Sequence, residues 1–169
     1  MQKLILFRHA QAEARAASGE DIDRALAVEG KADAALMGRA LAKDGLIPDI
    51  VLVSTARRTQ ETWACLSAAF PNAKAVSTAN LYNATGEEIM AEVAGASALG
   101  DTVMVVAHNP GLHELAVDLM VEGSANPSDI DAMAARFPTA TAAPFSLDAD
   151  GCPRGLGVYY ARDFGGTGE

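Results

Sequence analysis

The chain has 169 residues, of which half are hydrophobic and 21% charged, as is usual for one soluble globular domain. A formal net charge of −9 and Lys and Arg residues that form no cluster exclude a general affinity for nucleic acid. No apolar run approaches the roughly 20 residues that span a bilayer, and the first residues lack a secretory signal pattern, so we expect a cytoplasmic protein with no membrane partner.

The first part of the chain predicts a strand followed by a helix. Residues 3–7 are an almost continuous apolar run, which is typical of a strand buried on both faces. A polar stretch follows at residues 21–29. The next helix has an apolar face made of Ala32, Ala35, Leu36 and Ala40. Gly45 is suited to end this helix as its C′ residue.

The same alternation continues after that helix. Residues 50–53 form a second short apolar run and predict a second strand. The inner face of the following helix is marked by Trp63, Leu66 and Phe70. Pro71 stops this helix, and residues 73–76 predict a short third strand.

The strongest strand pattern lies further along the chain. Thr85 and Glu88 form a capping box, which opens a helix with the apolar face Ile89, Met90 and Val93. Residues 102–107 are the most strand-like run in the sequence, and this run ends at His108.

The last part of the chain predicts one helix and two strands. Asn109 suits the N-cap and Pro110 the N1 position of a helix. The inner face of that helix comprises Leu112, Leu115, Ala116 and Leu119. Residues 139–147 and 155–161 predict two strands that a turn at residues 148–151 connects.

Strands that alternate with helices predict an α/β fold, here a single three-layer α/β/α domain with a mostly parallel central sheet. We expect the domain to cover residues 1–164, followed by a disordered tail at residues 165–169. Cys65 and Cys152 match no metal or redox spacing, which predicts unpaired thiols. In folds of this class, ligands bind beyond the carboxyl ends of the strands.

Basic side chains follow three of the predicted strands. The first strand runs into Arg8 and His9, the second is followed by Arg57 and Arg58, and the strongest strand ends at His108. Helix N-termini at this edge of the sheet favour phosphate. Each residue also has an ordinary structural explanation, such as a surface ion pair or a hydrogen-bonded core histidine. Position alone therefore leaves a phosphate-type anion site and a structural role equally open.

Three sequence blocks, each at a predicted strand end, resemble a known family. Residues 4–10 (LILFRHA) resemble the Arg-His-Gly/Ala signature of the histidine phosphatase (phosphoglycerate mutase-like) superfamily. Residues 54–62 fit the Ser-x-x-x-Arg-x-x-x-Thr block of that family, which selects Arg58 over Arg57. Residues 107–111 (AHNPG) resemble the block that holds its second histidine. Their order and spacing make the resemblance specific.

Two further segments connect the chain with the small, phosphohistidine phosphatase SixA-type branch of this superfamily. Residues 23–26 with Gly30 resemble the polar segment after the first motif, and residues 137–139 also recur in that branch. The chain is similar to the branch in length and nearly throughout. The resemblance implies a phosphoglycerate mutase-like fold.

The resemblance also implies a mechanism. His9 attacks phosphorus in line and forms a phosphohistidine, which water then hydrolyses. Arg8 and Arg58 bind the phosphoryl oxygens, and His108 donates to another oxygen in the transition state. These cations would neutralise the charge that Mg²⁺ neutralises elsewhere, so we expect no metal and no cofactor. His113, five residues beyond His108, is interpreted as a structural or surface residue.

One feature departs from the larger superfamily members, which carry a general-acid glutamate after the third strand. The corresponding residues 80–85 contain no carboxylate, and Glu87 and Glu88 are explained by helix capping and the helix dipole. Glu13 is a candidate substitute. Because general acid catalysis contributes typically 10²–10⁴-fold, its loss favours a substrate with a good leaving group, such as the imidazole of phosphohistidine.

The leading hypothesis is therefore a phosphohistidine phosphatase in signal transduction, with a phosphorylated protein such as a histidine phosphotransfer domain as its partner. The alternatives are a phosphomonoesterase acting on a small phosphorylated substrate and a non-catalytic module that binds phosphate or a phosphoprotein. A mutase is disfavoured because the chain is too short for the insertions that hold a diphosphorylated cofactor.

Overall fold

The computed structural model describes residues 1–168 of the chain. Its described part contains one six-stranded sheet, in the order β3-β2-β4-β1-β5-β6. The strands are β1 (Lys3–Arg8), β2 (Ile50–Ser54), β3 (Lys74–Thr78), β4 (Thr102–Ala107), β5 (Ala142–Leu147) and β6 (Pro153–Gly155). β3, β2, β4 and β1 are parallel, β5 runs antiparallel to β1, and β6 runs antiparallel to β5. The predicted mostly parallel α/β sheet is confirmed.

Helices cover both faces of this sheet. They are α1 (Val28–Lys43), α2 (Arg57–Leu66), α3 (Gly86–Ala96), α4 (Gly111–Glu122) and α5 (Pro127–Ala135). α1 and α2 pack on one face and α3, α4 and α5 on the other, so the apolar core is divided into two clusters. Fully burying a side chain such as Leu4, Ile5 or Phe7 contributes about 1.5–3 kcal/mol. The continuous apolar strands are thus explained by burial on both faces. Within residues 1–168, no helix is long and apolar enough to cross a membrane.

Several local predictions agree with the structure. Thr85 and Glu88 form the expected capping box at the start of α3. Gly45 follows α1 with a φ of +73°, in the left-handed region that favours glycine. The helix that was predicted to reach Phe70 ends as α2 at Leu66 and continues as a 3-10 turn, Ser67–Ala69.

The last strands and one helix differ from the sequence prediction. β5 begins at Ala142 and not at residue 139, because Ala140 adopts a left-handed φ of 55°. The strand predicted at residues 155–161 is wrong, since Gly157 interrupts it with a φ of +100° and only one further bridge forms, at Tyr159. α5 was not predicted because its only buried residue is Met133, which leaves a weak periodic signal.

The start of α4 and the tail also differ. Asn109 does not cap α4. Pro110 occupies the N-cap position, and the Asn109 side chain donates to the Phe137 carbonyl oxygen at 3.0 Å instead. Residues 165–168 have defined contacts where a disordered tail was predicted, because the buried Asp33 carboxylate accepts hydrogen bonds from Thr167 and Gly168. The rest of that predicted tail, Glu169, lies outside the described residues.

Candidate active site

Strand register brings the two candidate histidines together. β1 and β4 are parallel with Arg8 opposite Ala107, so that His9 and His108 are the next residues on both strands. The His9 amide donates to the Ala107 carbonyl oxygen at 3.1 Å and extends the pairing by one residue. The two imidazole centroids are 5.3 Å apart, and both side chains are buried. The carboxyl edge of the sheet therefore presents a histidine pair.

One ring nitrogen of His9 is hydrogen-bonded to the backbone. Its Nδ1 lies 2.8 Å from the Ala10 carbonyl oxygen, which can only accept, so Nδ1 carries the proton of the neutral ring. The lone pair is then on Nε2. Burial is the main cause that lowers the pKa of His9 to about 3, and the charges of Arg58 and Arg8 act in the same direction. His9 is consequently neutral at physiological pH, with Nε2 available as a nucleophile.

Arg8, the last residue of β1, is anchored by a backbone carbonyl group. Its Nη1 donates to the Phe137 carbonyl oxygen at 2.8 Å, the same oxygen that accepts from Asn109. Arg8 Nε is buried without a hydrogen-bond partner among the residues described. Burial, followed by the charge of Arg58, lowers the pKa of Arg8. One edge of the guanidinium is thus anchored, and Nε is left to bind an anion.

Arg58, rather than Arg57, reaches the site. It lies in the first turn of α2 with a side chain only 5% exposed, and its Nη1 and Nη2 donate to the backbone and carboxylate oxygens of Asp21 at 2.9 and 3.0 Å. As with Arg8, its Nε is buried and unpaired within the described chain. Arg57 instead pairs with Glu61 at the surface. Adjacent residues of an α-helix are rotated about its axis, so the side chains of Arg57 and Arg58 point in different directions.

His108 completes the cluster from the end of β4. Its Nε2 lies 2.7 Å from the Ser54 hydroxyl at the end of β2. Its Nδ1 is buried and has no hydrogen-bond partner in residues 1–168. Burial, and then the charge of Arg58, lowers the pKa of His108 to about 4. His108 is therefore a neutral imidazole at physiological pH.

Asp21 and Tyr82 were not identified from the sequence. Besides binding Arg58, the Asp21 carboxylate accepts a 2.7 Å hydrogen bond from the Tyr82 hydroxyl, and the Tyr82 ring meets His108 edge-on at 5.6 Å. The Tyr82 hydrogen bond is the largest cause that lowers the pKa of Asp21 to about 2. Asp21 is thus an ionised carboxylate beside the site, not a proton donor. No signal singled it out among the acidic residues around it.

Thr62 links two elements of the site and explains one residue of the second motif. Its hydroxyl donates to the Arg58 carbonyl oxygen at 2.7 Å and accepts from the Ala10 amide at 3.0 Å. It therefore fixes α2 against the turn that follows β1. Arg58 and Thr62 are four residues apart in the motif, which is one turn of α2 and brings the Thr62 hydroxyl to the Arg58 carbonyl oxygen.

Two other candidates lie outside this cluster. Glu13 is exposed, and its carboxylate has no hydrogen-bond partner in the described part of the chain, so its role as a general acid stays a prediction. His113 bonds through Nε2 to the Met133 carbonyl oxygen at 2.7 Å and stacks on Phe137, in a structural role. Over residues 1–168, no three His, Cys, Asp or Glu side chains are grouped as metal ligands.

The arrangement is suited to a small tetrahedral oxyanion. Arg8, Arg58 and His108 all lie close enough to the neutral His9 to lower its pKa, and each has a side-chain nitrogen without a hydrogen-bond partner among the described residues. Guanidinium groups bind phosphoryl oxygens through charge-assisted hydrogen bonds. A buried site that is already oriented stabilises developing charge without reorganisation.

Comparisons with known proteins agree with this geometry. Residues 4–84 match the model of the histidine phosphatase superfamily (branch 1). A solved structure of a proposed phosphohistidine phosphatase SixA from Nakamurella multipartitia is 31% identical, with a TM-score of 0.79 over 94% of this chain and 95% of that one. The corresponding protein of Agrobacterium tumefaciens is 26% identical, with a TM-score of 0.81 over 94% and 97%. A phosphoglycerate mutase of Plasmodium falciparum is 18% identical, with a TM-score of 0.61 over 92% of this chain and 88% of that one, which confirms the phosphoglycerate mutase-like fold.

A plant protein is also similar to part of the chain. An uncharacterized chloroplastic protein of Arabidopsis thaliana is 33% identical over an alignment of 125 residues, which covers 68% of this chain and 57% of the relative. The chain thus spans a little over half the length of that relative.

Proposed function

Because the chain belongs to the histidine phosphatase superfamily, we propose that it hydrolyses phosphohistidine in a partner protein through a covalent phosphohistidine at His9. The observation that carries the proposal is the neutral His9, whose Nδ1 is bound to the Ala10 carbonyl oxygen, beside two anchored arginines. The two similar structures from Nakamurella multipartitia and Agrobacterium tumefaciens, both named as SixA, support the choice of phosphohistidine.

The reaction has two steps. His9 Nε2 attacks phosphorus in line while Arg8, Arg58 and His108 bind the phosphoryl oxygens. The P–N bond to the substrate imidazole breaks, and the leaving imidazole takes a proton from solvent. Water then attacks the phosphorylated His9, which releases inorganic phosphate and restores the neutral ring. The side-chain cations supply the charge neutralisation, so the proposed reaction uses no metal.

The carboxylates near the site support a substrate with a good leaving group. Asp21 is ionised and bound to Arg58 and Tyr82, so it has no proton to donate. Residues 80–85 contain no carboxylate, and the exposed Glu13 carboxylate has no hydrogen-bond partner among the described residues. An alkyl phosphate would need a general acid. Phosphohistidine, whose P–N bond breaks readily, needs it less.

We expect wild-type protein to turn over a ³²P-phosphohistidine peptide faster than an alkyl phosphate, with p-nitrophenyl phosphate in between. An alkaline quench should trap an acid-labile label on the protein. His9→Ala should lose both the label and turnover, because no other neutral imidazole has the same position. His113→Gln is the matched control and should keep both.

Other outcomes distinguish the alternatives. Equal turnover of alkyl phosphates and phosphohistidine would indicate a general phosphomonoesterase. Tight phosphate binding without turnover would indicate a binding module. Full activity of His9→Ala would show that the proposed mechanism is wrong.

A further inference from the structure

A buried serine contacts the second histidine of the site. Ser54 Oγ lies 2.7 Å from His108 Nε2, and Ser54 is fully buried. The hydroxyl also accepts a long hydrogen bond, 3.4 Å, from the Ala56 amide. A hydroxyl has one proton to donate. Among the described residues, His108 Nε2 is the acceptor that the structure provides for it.

The other ring nitrogen of His108 faces the opposite side. The two nitrogens of an imidazole point in nearly opposite directions, and the hydrogen bond of one determines the protonation of the other. β4 lies between β2 and β1 in the sheet. His108 Nε2 contacts Ser54 on β2, and His9, at the end of β1 on the other side of β4, lies with its ring centroid 5.3 Å from that of His108. His108 Nδ1 is buried and unpaired in the part of the chain that the structure describes.

The location of the proton on His108 decides whether it can bind a phosphoryl group. A neutral imidazole carries one N–H donor and one acceptor, and phosphoryl oxygens of a dianion only accept. The low pKa of His108, caused first by burial, keeps the ring neutral. His108 can therefore donate from Nδ1 only if Nε2 is unprotonated and accepts a hydrogen bond.

We infer that Ser54 is a positioning residue, which donates its hydroxyl proton to His108 Nε2 and so holds the imidazole proton on Nδ1, where a phosphoryl oxygen can accept it. The resulting chain runs from the Ala56 amide through the Ser54 hydroxyl and the His108 ring to the substrate. The kinetic consequence rests on the proposed phosphatase function. The tautomer itself is a property of the free protein.

The tautomer can be measured directly. The chain has three histidines, so a long-range ¹H–¹⁵N correlation spectrum of ¹⁵N-labelled protein at pH 7 contains few signals. A His108→Gln sample identifies those of His108. We expect a protonated Nδ1 and an unprotonated Nε2 in the wild type. Addition of inorganic phosphate should shift the Nδ1 signal more than the Nε2 signal.

Variants at two buried hydroxyl groups separate this role from packing. Ser54→Ala should move the His108 proton toward Nε2 and lower kcat on the phosphohistidine peptide by about tenfold, the effect of one hydrogen bond. Ser54→Thr, which keeps the hydroxyl, should retain the wild-type tautomer. Thr59→Val is the matched control, because the Thr59 hydroxyl is also fully buried and bonds to the Ser54 carbonyl oxygen but not to His108. It should leave the tautomer unchanged.

Two results would overturn the inference: a wild-type His108 protonated on Nε2, or a Ser54→Ala spectrum with the wild-type tautomer. The first is decided without any variant, so poor folding of Ser54→Ala cannot obscure it. A wild-type protein with no phosphatase activity would instead contradict the proposed function, while the spectra would still decide the role of Ser54.

Discussion

Backbone carbonyl groups orient three of the four side chains at the active site. The carbonyl oxygens of Ala10, Phe137 and Asp21 accept from His9, Arg8 and Arg58, respectively. Each contact fixes one nitrogen and leaves another that the proposed reaction uses to bind a phosphoryl oxygen or to attack phosphorus. Residue identity alone does not reveal such contacts, since every residue has a carbonyl group.

The Asp21 carboxylate also accepts a hydrogen bond from Arg58. We expect Asp21→Ala to lower kcat/KM by about tenfold, because Arg58 would lose this charge-assisted hydrogen bond. The effect should be seen with both the phosphohistidine peptide and p-nitrophenyl phosphate in steady-state assays. Asp23→Ala is the control, as the Asp23 carboxylate bonds to Ser18 at the surface. Equal activity of the two variants would contradict the role assigned to Asp21.

At the scale of elements, glycines allow the close contacts that define the site. A Cβ on Gly30 in α1 would overlap the carbonyl oxygen of Gln11, in the loop that follows His9. A Cβ on Gly111, the first residue of α4, would overlap the carbonyl oxygen of Ala84. Both glycines lie in segments that resemble the family. Their role is to let α1 and α4 approach neighbouring backbone near the histidine pair.

Gly111→Ala should therefore destabilise the fold by about 1–3 kcal/mol, the usual cost of overpacking. It should also lower activity, because the start of α4 directly follows His108 and Asn109. Gly95→Ala is the matched control: apart from the backbone of α3 itself, a Cβ at this position meets no atom within 4 Å, so the change should stabilise by about 0.5–1 kcal/mol. Urea unfolding monitored by circular dichroism measures both. A stabilising Gly111→Ala would contradict the packing described.

At the scale of the whole molecule, an acidic protein encloses a small cationic site. The formal charge is −9, yet the half-buried Arg8 and the buried Arg58 lie beside two histidines whose pKa values are lowered to about 3 and 4. In the proposed mechanism, the neutral His9 is the nucleophile and the neutral His108 is a hydrogen-bond donor. The lowered pKa values also make the free energy of unfolding depend on pH, because the unfolded chain binds protons at these histidines near pH 6.5.

Since the folded pKa values of His9 and His108 are lower than the unfolded ones, the unfolded state gains protons first as the pH falls. The histidines therefore lower stability progressively below about pH 6.5, each by up to about 1.4 kcal/mol per pH unit until its folded pKa is reached. In urea unfolding between pH 7 and 4, His9→Gln should lose stability less steeply than the wild type. Parallel curves for the two proteins would contradict the lowered pKa of His9.

Much of the site could be predicted because it depends on local patterns. Buried strands, the capping box at Thr85 and the basic residues that follow three of the strands are visible in the order of the residues. The motif around Ser54 favoured Arg58 over Arg57, and the structure places Arg58 at the site. The strand predicted at residues 155–161 is wrong because the left-handed φ of Gly157 interrupts the extended backbone, whatever the apolar pattern of its neighbours.

The sequence by itself determined the carboxyl ends of β1, β2 and β4, the α/β class, and His9 and His108 as candidates. Tertiary structure decided how these strand ends align: the register of β1 and β4 puts His9 beside His108, and the neighbouring β2 brings Ser54 to the His108 ring. Asp21 and Tyr82 are 61 residues apart in sequence and meet only through folding. Hydrogen bonds depend on distance in space, which residue order does not specify.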